Sequence, residues 1–178
     1  MTTLPGFDEL QSRWQASLAK PATGSVVMLV VRVGDGAHAT PPRVELSPEG
    51  GVHGDRWREN EARNPEAQVS LIARRVAEAL VDGDVTRLHV PGDNVVVDLD
   101  LDEASLPVGT RLHLGSATIE ITAKPHTGCA KFRARLGDEA LRWISADPHR
   151  QQRLRGVYAR VVTAGAVAIG ERVVRASL

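Results

Sequence analysis

The sequence has little material for covalent cross-links, aromatic packing or membrane spans. Cys129 is the only cysteine among 178 residues, which excludes an intrachain disulfide and a cysteine-rich zinc site. Aromatic residues make up 3% of the chain, so aliphatic side chains must fill most of the core. The longest apolar run, residues 26–31, is too short to cross a bilayer, and the first residues lack the apolar stretch of a signal peptide. We therefore expect a cytoplasmic protein with no membrane partner.

A net charge of one sign is also missing, because 22 basic residues balance 22 acidic ones. Nonspecific nucleic-acid binding relies on a broad basic surface, so we expect no nucleic-acid partner. The chain contains no Walker loop, no His-Glu-x-x-His, no Gly-x-Ser-x-Gly and no Cys-x-x-Cys motif, and Gly34-x-Gly36 lacks the third glycine of a dinucleotide fingerprint. Hydride transfer and zinc-dependent hydrolysis therefore have no support in the sequence.

Basic residues are nonetheless concentrated around Cys129. Between residues 124 and 160 the acids are far outnumbered by the basic side chains Lys124, Lys131, Arg133, Arg135, Arg142, Arg150, Arg153, Arg155 and Arg160. Positive neighbours favour the thiolate, which is the nucleophile and the soft metal ligand. Cys129 is therefore either a reactive thiol or a small buried apolar residue. The basic residues either hold a small anion or are solvated.

Hydrophobic periodicity predicts a few helices. Phe7, Leu10, Trp14 and Leu18 share one face of a helix over residues 6–19. The same spacing predicts further helices over residues 73–81 and 130–145.

Short apolar runs and alternating patterns, separated by turn residues, predict a larger number of strands. These strands cover residues 25–33, 43–46, 69–72, 95–99, 111–114 and 117–123, with a final strand pair, 157–163 and 166–175, around Gly165. We expect a helical extension over residues 1–24 and a mainly β domain with a few helices (α+β), most simply a barrel, over residues 25–178.

Several short motifs follow one another along nearly the whole chain, over about residues 25–175. They are His53-Gly54-Asp55-Arg56, Gln68-Val69-Ser70-Leu71, Gly92-Asp93-Asn94, the segment from Leu106 to Gly115, Ile119-Glu120-Ile121-Thr122, Cys129-Ala130-Lys131, Gly156-Val157-Tyr158-Ala159-Arg160-Val161 and Gly170-Glu171-Arg172-Val173. Their order and spacing resemble the standalone bacterial members of the MOSC family, which is named for the C-terminal domain of molybdenum cofactor sulfurases.

The resemblance implies a MOSC-like β-barrel and chemistry of sulfur or of the molybdenum cofactor (molybdopterin), a pterin phosphate that carries molybdenum. Cys129 lies where the central cysteine of the family belongs, so it is expected to carry sulfur as a persulfide or to ligate molybdenum. The family usually has proline before this cysteine, whereas Gly128 stands here and leaves the loop freer. Some standalone members are linked to reduction of N-hydroxylated compounds, so a reductase or a sulfur transferase is an expected activity.

Pyridoxal phosphate is expected only on a partner. The longer sulfurases carry an N-terminal desulfurase domain that binds this cofactor, and 178 residues are too few to contain it. A separate desulfurase or a reductase could therefore be the partner protein, together with a small anionic cofactor or a sulfur donor.

Candidate cofactor-binding residues lie in two turns. His53, Asp55 and Arg56 lie in a glycine-rich loop that either faces a phosphate or is a tight turn whose aspartate satisfies local amides. Asn94 either hydrogen-bonds a pterin edge or stabilises its own turn.

The segment around Cys129 supplies the candidate catalytic residues. Cys129 is the expected nucleophile or metal ligand, and His126 could orient or deprotonate its thiol. Arg56, Lys131 and Arg133 would neutralise the cofactor phosphate or the developing sulfur anion. A different class of function stays open: a noncatalytic binding module that presents the cofactor or a sulfur donor to a partner enzyme, for which Cys129 would be dispensable.

Overall fold

The computed structural model describes residues 4–17, 24–147 and 149–176. These residues form the helices α1 (Phe7–Ala16), α2 (Arg74–Leu80) and α3 (Ala130–Ser145). The strands are β1 (Gly24–Leu29), β2 (Val31–Gly34), β3 (Ala37–Ala39), β4 (Arg43–Ser47), β5 (Gly51–Val52), β6 (Val69–Ala73), β7 (Val95–Val97), β8 (Arg111–Leu114), β9 (Ala117–Ile121), β10 (Val157–Thr163), β11 (Gly165–Ala168) and β12 (Arg172–Arg175). In these parts of the chain no helix is both long and apolar enough to cross a membrane.

Seven strands close into a barrel in the order β1, β12, β8, β9, β10, β6, β7, which confirms the predicted architecture. Strands β6 and β7 run parallel, with Leu71 opposite Val95, and the other neighbours in the barrel are antiparallel. Aliphatic residues fill the interior, as the scarcity of aromatics requires. Examples with at most 1% exposure are Val26, Leu71, Val95, Leu112 and Ile119.

Strands β11, β4 and β5 form a separate small sheet, and β2 pairs with β3 as a hairpin. Two strand predictions were wrong in detail. The run 25–33 is interrupted at Val30, whose amide donates to the carbonyl of Asn94, and β2 then leaves the barrel to pair with β3. The strands flanking Gly165 do not pair with each other, because β10 pairs with β6 and β9, whereas β11 pairs with β4 and β12 with β1 and β8.

Helix α1 packs against α2 and α3. Leu10 is fully buried and Trp14 is 8% exposed, so the predicted apolar face covers the core. Leu18, the fourth residue of that face, lies outside the described residues. The division of the chain between residues 24 and 25 stays a prediction.

Helix α3 has the predicted bounds but contains a kink. Gly137 has φ 85° and interrupts the helical backbone, a conformation that glycine adopts without strain. Phe132 and Leu136 are buried before the kink, and Trp143 and Ile144 after it. The kink therefore lets two short helical segments bury apolar faces on the same core.

Candidate functional site

Cys129 lies at the end of the loop that connects β9 to α3. It is the residue immediately before the helix, and its carbonyl accepts a hydrogen bond of 3.0 Å from the amide of Arg133. Its side chain is exposed and its thiol is free. Of the two alternatives that the sequence left open, a buried apolar residue is therefore excluded. The reactivity of the thiol stays a prediction.

Arg135 lies within electrostatic range of Cys129, and further arginines lie near Arg135. Burial lowers the pKa of Arg135, and the strongest neighbouring charge, that of the Cys129 thiolate, acts in the opposite direction. Other arginines close enough to lower the pKa of Arg135 further are Arg56, Arg155 and Arg32. The loop from 53 to 56, strand β2, helix α3 and the segment before β10 thus each bring one cation to this region.

Arg32 forms an ion pair with Asp55 in the interior of the site. The Arg32 guanidinium donates to both Asp55 oxygens at 2.8 Å, and the Asp55 side chain is fully buried. Burial opposes both charges, but the pair outweighs it, raising the pKa of Arg32 and lowering the pKa of Asp55. The amide of Trp57 also donates to Asp55 at 2.9 Å. Asp55 therefore fixes the loop that carries Arg56.

Asn94 completes this network. Its side-chain oxygen accepts from the amide and hydroxyl of Ser70, both at 3.1 Å, and from Arg32 at 3.2 Å. Its side-chain nitrogen donates to the Val30 carbonyl at 3.2 Å and to Asp55 at 2.9 Å. Both polar groups of Asn94 are thus engaged within the protein. Contact with a cofactor by Asn94 stays a prediction.

Asp93 joins His126 to Arg155 in a second buried cluster. One oxygen of Asp93 lies 2.6 Å from His126 Nε2, and the other accepts from Arg155 Nη1 at 2.6 Å. The three side chains are 1%, 4% and 8% exposed. Burial alone would raise the pKa of Asp93, but the charge of Arg155 and the hydrogen bonds from His126 and Arg155 hold it well below its usual range.

The imidazole of His126 is held neutral with one tautomer. Burial, followed by the charge of Arg155, lowers the pKa of His126. An ionised carboxylate can only accept, so Nε2 carries the proton donated to Asp93 and Nδ1 keeps its lone pair. Nδ1 is buried without a hydrogen-bond partner among the described residues. Tyr158 stacks on the ring with centroids 4.0 Å apart, which fixes its plane.

The remaining candidates from the sequence lie at the surface. His53 is exposed, with Nε2 3.5 Å from the Ser47 hydroxyl. Lys131 is exposed, and Arg133 is exposed and paired with Asp138. The structure therefore brings Asp55 and Asn94 into direct hydrogen-bonded contact and places Arg56 and Cys129 within electrostatic range of one side chain, Arg135. Arg133 is held by an acid on its own helix. The roles assigned to all of these residues stay predictions.

Five polar residues of the site were missed by sequence reasoning: Arg32, Asp93, Arg135, Arg155 and Tyr158. Weak signals existed for three of them, because Asp93 lies in the Gly-Asp-Asn turn and Arg135 and Arg155 belong to the basic segment around Cys129. Arg32 was recognisable only as the charge that ends the apolar run 26–31. The described residues contain no group of three or more His, Cys, Asp or Glu side chains placed to hold a metal ion.

Comparisons with known proteins agree with this architecture. The sequence profile of the MOSC domain matches residues 62–174. No curated protein sequence matches the chain. The YuaD protein from Bacillus subtilis has a similar structure, with a TM-score of 0.63 and 17% identity over 85% of this chain and 94% of that one. YiiM from Escherichia coli superimposes with a TM-score of 0.59 and 15% identity over 89% of this chain and 71% of that one. At such identities these similarities establish the fold alone.

Proposed function

The chain belongs to the MOSC domain family, and from this premise we propose that it handles sulfur or the molybdenum cofactor through the thiol of Cys129. The observation that carries the proposal is an exposed cysteine within electrostatic range of Arg135, a cation that other arginines in turn approach. Exposure gives a donor or cofactor access to the sulfur, and the neighbouring cation would attract an anionic donor or cofactor. A structural cysteine would instead lie in the core.

As a sulfur carrier, Cys129 would accept sulfur from a persulfide donor. Its thiolate attacks the terminal sulfur of the donor, a new S–S bond forms on Cys129, the S–S bond of the donor breaks, and the donor leaves as a thiolate. No external oxidant is needed, because the sulfane sulfur keeps its oxidation level throughout. Arg135 and Arg56 would stabilise the negative charge before and after the transfer, which is why cations at this position favour the step.

The same residues fit the molybdenum cofactor. A cysteine thiolate is a soft ligand of the kind that such a metal accepts, and guanidinium groups bind phosphate through paired hydrogen bonds. Cys129 would ligate the metal, while Arg56 and Lys131 would hold the phosphate. Neither of these two cations has a side-chain hydrogen bond or ion pair with another described residue. Bound cofactor would supply a redox-active metal for the reduction of N-hydroxylated compounds.

The backbone at Gly92 leaves room for the side chain of Arg135. Gly92 has φ 88°, and a Cβ added there would lie 2.5 Å from Arg135 Nη1 and 3.5 Å from His38 Cε1. A larger residue would therefore push Arg135 out of place. Asp55 and Asn94 support the site through position, because they hold Arg32 and the loop that carries Arg56.

Sulfur loading tests the carrier function directly. Purified protein is incubated with glutathione persulfide, separated from it and weighed by intact-mass spectrometry. We expect a gain of one sulfur atom that a reducing thiol removes, and no gain for Cys129→Ser, since serine is a poor nucleophile without an activating base. Arg135→Gln should slow the loading and Arg135→Lys should largely preserve it. Arg142→Gln is the matched control, because Arg142 lies on the same helix but is exposed and paired with Glu139.

The amount of bound cofactor distinguishes a chemical role of Cys129 from a noncatalytic module that presents the cofactor to a partner enzyme. Wild-type protein and Cys129→Ser are expressed in a host that makes molybdenum cofactor, and bound molybdenum and pterin are measured. Loss of metal from the variant supports ligation by Cys129. Unchanged metal, pterin and activity in the variant would contradict the proposal and favour the noncatalytic binding module.

A further inference from the structure

A cavity of about 520 Å³ lies on one side of the loop that carries Cys129. Its walls are the segment 122–128, the end of α3 and the segment 149–157 that leads into β10. Gly128 is part of the wall, but Cys129 is not. Of the residues that the sequence assigned to a cofactor or to catalysis, only His126 lines it. The cavity is therefore a second feature of the fold, adjacent to the proposed thiol site.

Cations dominate the charged groups that line this cavity. Lys124, Arg150, Arg153 and Arg155 contribute to its wall, whereas Glu103 is the one carboxylate among the described lining residues. A cationic ligand would meet this excess of positive charge and is disfavoured. An anionic ligand would be attracted.

Several of the hydrogen-bond donors of these cations are unused. Arg155 gives Nη1 to Asp93 at 2.6 Å, but its Nε is buried without a partner among the described residues. Arg153 gives Nη1 to the Leu106 carbonyl at 2.6 Å, and its Nε lies 3.9 Å from Glu103. A guanidinium has five N–H donors, so further donors stay available on both. Lys124 forms no hydrogen bond or ion pair with any other described residue.

The rest of the wall includes apolar side chains. Val108, Ile144, Leu154 and Val157 line the cavity, and Leu154 is only 2% exposed. The volume lies within the range of about 300–1,000 Å³ that is usual for pockets of small organic ligands. A lining that combines spare cationic donors with apolar surface suits a molecule with one anionic group and an apolar body.

We propose that this cavity binds a small organic anion, whose carboxylate or sulfonate contacts Lys124 and Arg153 and whose apolar body contacts Val108 and Leu154. Binding there does not require Cys129, since that residue is not part of the wall. The ligand would nevertheless lie beside Gly128, the residue before the thiol.

Two isosteric probes test the requirement for negative charge. Binding of para-fluorobenzoate and para-fluorobenzamide to wild-type protein is measured by ligand-observed fluorine NMR at low and high salt. We expect the benzoate to bind at least about tenfold more tightly, because it alone makes charge-assisted hydrogen bonds. Its affinity should fall with added salt. Equal binding of both probes, or binding of neither, would overturn the proposal.

Variants locate the binding. Lys124→Gln should weaken benzoate binding because it removes an unpaired cation. Val108→Glu should weaken it because it places an anion in the cavity wall. Val108 is 54% exposed, so this substitution should not disturb folding. Arg172→Gln removes one exposed positive charge outside the wall and should leave affinity unchanged. Benzoate binding that both cavity variants leave intact would refute the location.

The Cys129→Ser variant separates this proposal from the function of the thiol. It should bind para-fluorobenzoate as the wild type does while failing to take up sulfur. Sulfur loading with no benzoate binding would refute the cavity proposal alone. Benzoate binding with no sulfur loading in wild-type protein would refute the sulfur-carrier function alone.

Discussion

Replacing Asp93 by asparagine should destabilise the protein severely. Both Asp93 oxygens are used, one by His126 and one by Arg155, and the carboxylate is 1% exposed. The variant would leave the Arg155 guanidinium, itself only 8% exposed, without its counter-ion. Removing one partner of such a buried pair costs about 3–5 kcal/mol. A domain of this kind has roughly 5–15 kcal/mol of stability in total, so the variant should fold but with a small margin.

Urea unfolding at neutral pH, followed by circular dichroism, measures this cost. Asp138→Asn is the matched control, because it removes the same charge from a pair whose members are 70% and 60% exposed. An exposed pair contributes only about 0–1 kcal/mol, so the control should unfold near the wild-type midpoint. An Asp93→Asn variant that loses no more stability than the control would refute the reasoning that this pair matters because it is buried.

The same variant should also change the acid sensitivity. The pKa of Asp93 is lowered in the folded protein, so its ionised form stabilises the fold above the unfolded pKa of about 3.9. This stability is lost as the pH falls below that value towards the depressed folded pKa. Asp93→Asn should therefore show a shallower loss of stability below about pH 4. Parallel curves for variant and wild type over this range would contradict the pKa shift.

Three further substitutions test other parts of the structure. The pKa of His126 is lowered by burial, so the wild type should lose stability as the pH falls below the unfolded value of about 6.5, and thermal melts of His126→Gln should lack that component. Gly128→Ala should cost about 1–3 kcal/mol in urea unfolding, because its Cβ would collide with the Leu141 side chain, and adding Leu141→Ala should recover part of that loss if the collision is the cause. Gly156→Ala should be more damaging than Gly128→Ala in the same assay, since Gly156 has φ 99° and its Cβ would meet the Leu71 carbonyl, which cannot move aside.

Much of the fold could be predicted from the sequence, because the spacing of hydrophobic residues along a helix or strand is a local property of the chain. The periodic apolar residues of α3 and β10 gave the bounds that the structure has. The regions predicted wrongly are those where pairing between distant strands determines the structure. Residues 25–33 form one mainly apolar segment of the sequence. In the structure, however, the carbonyl of Asn94 accepts a hydrogen bond from the amide of Val30, and the chain leaves the barrel after that residue. No local pattern shows that β11 leaves the barrel to pair with β4.

The site was predicted only in part, because its organisation depends on contacts between distant residues. The prediction of Cys129 as the central residue comes from the resemblance to the MOSC family, because its basic surroundings alone leave a reactive and a buried cysteine open. Its cations come from separate segments, and Arg32 reaches Asp55 and Asn94 across 23 and 62 residues of sequence. Glycine at position 128 has a packing reason that the sequence could not reveal, since Leu141 and Ile144 occupy the space that a larger residue would need.

The closure of the barrel has a consequence for the way the protein is made. Strand β1 takes β12 as one neighbour, with Gly24 opposite Val173, so the other strands of the barrel are synthesised between the two halves of this seam. Translation at about 5–20 residues per second separates them by on the order of ten seconds. During that interval the edge of β1 that β12 will cover is open, and an open edge templates pairing with other chains. The nascent barrel is therefore vulnerable to aggregation until β12 appears, and slower translation lengthens that window.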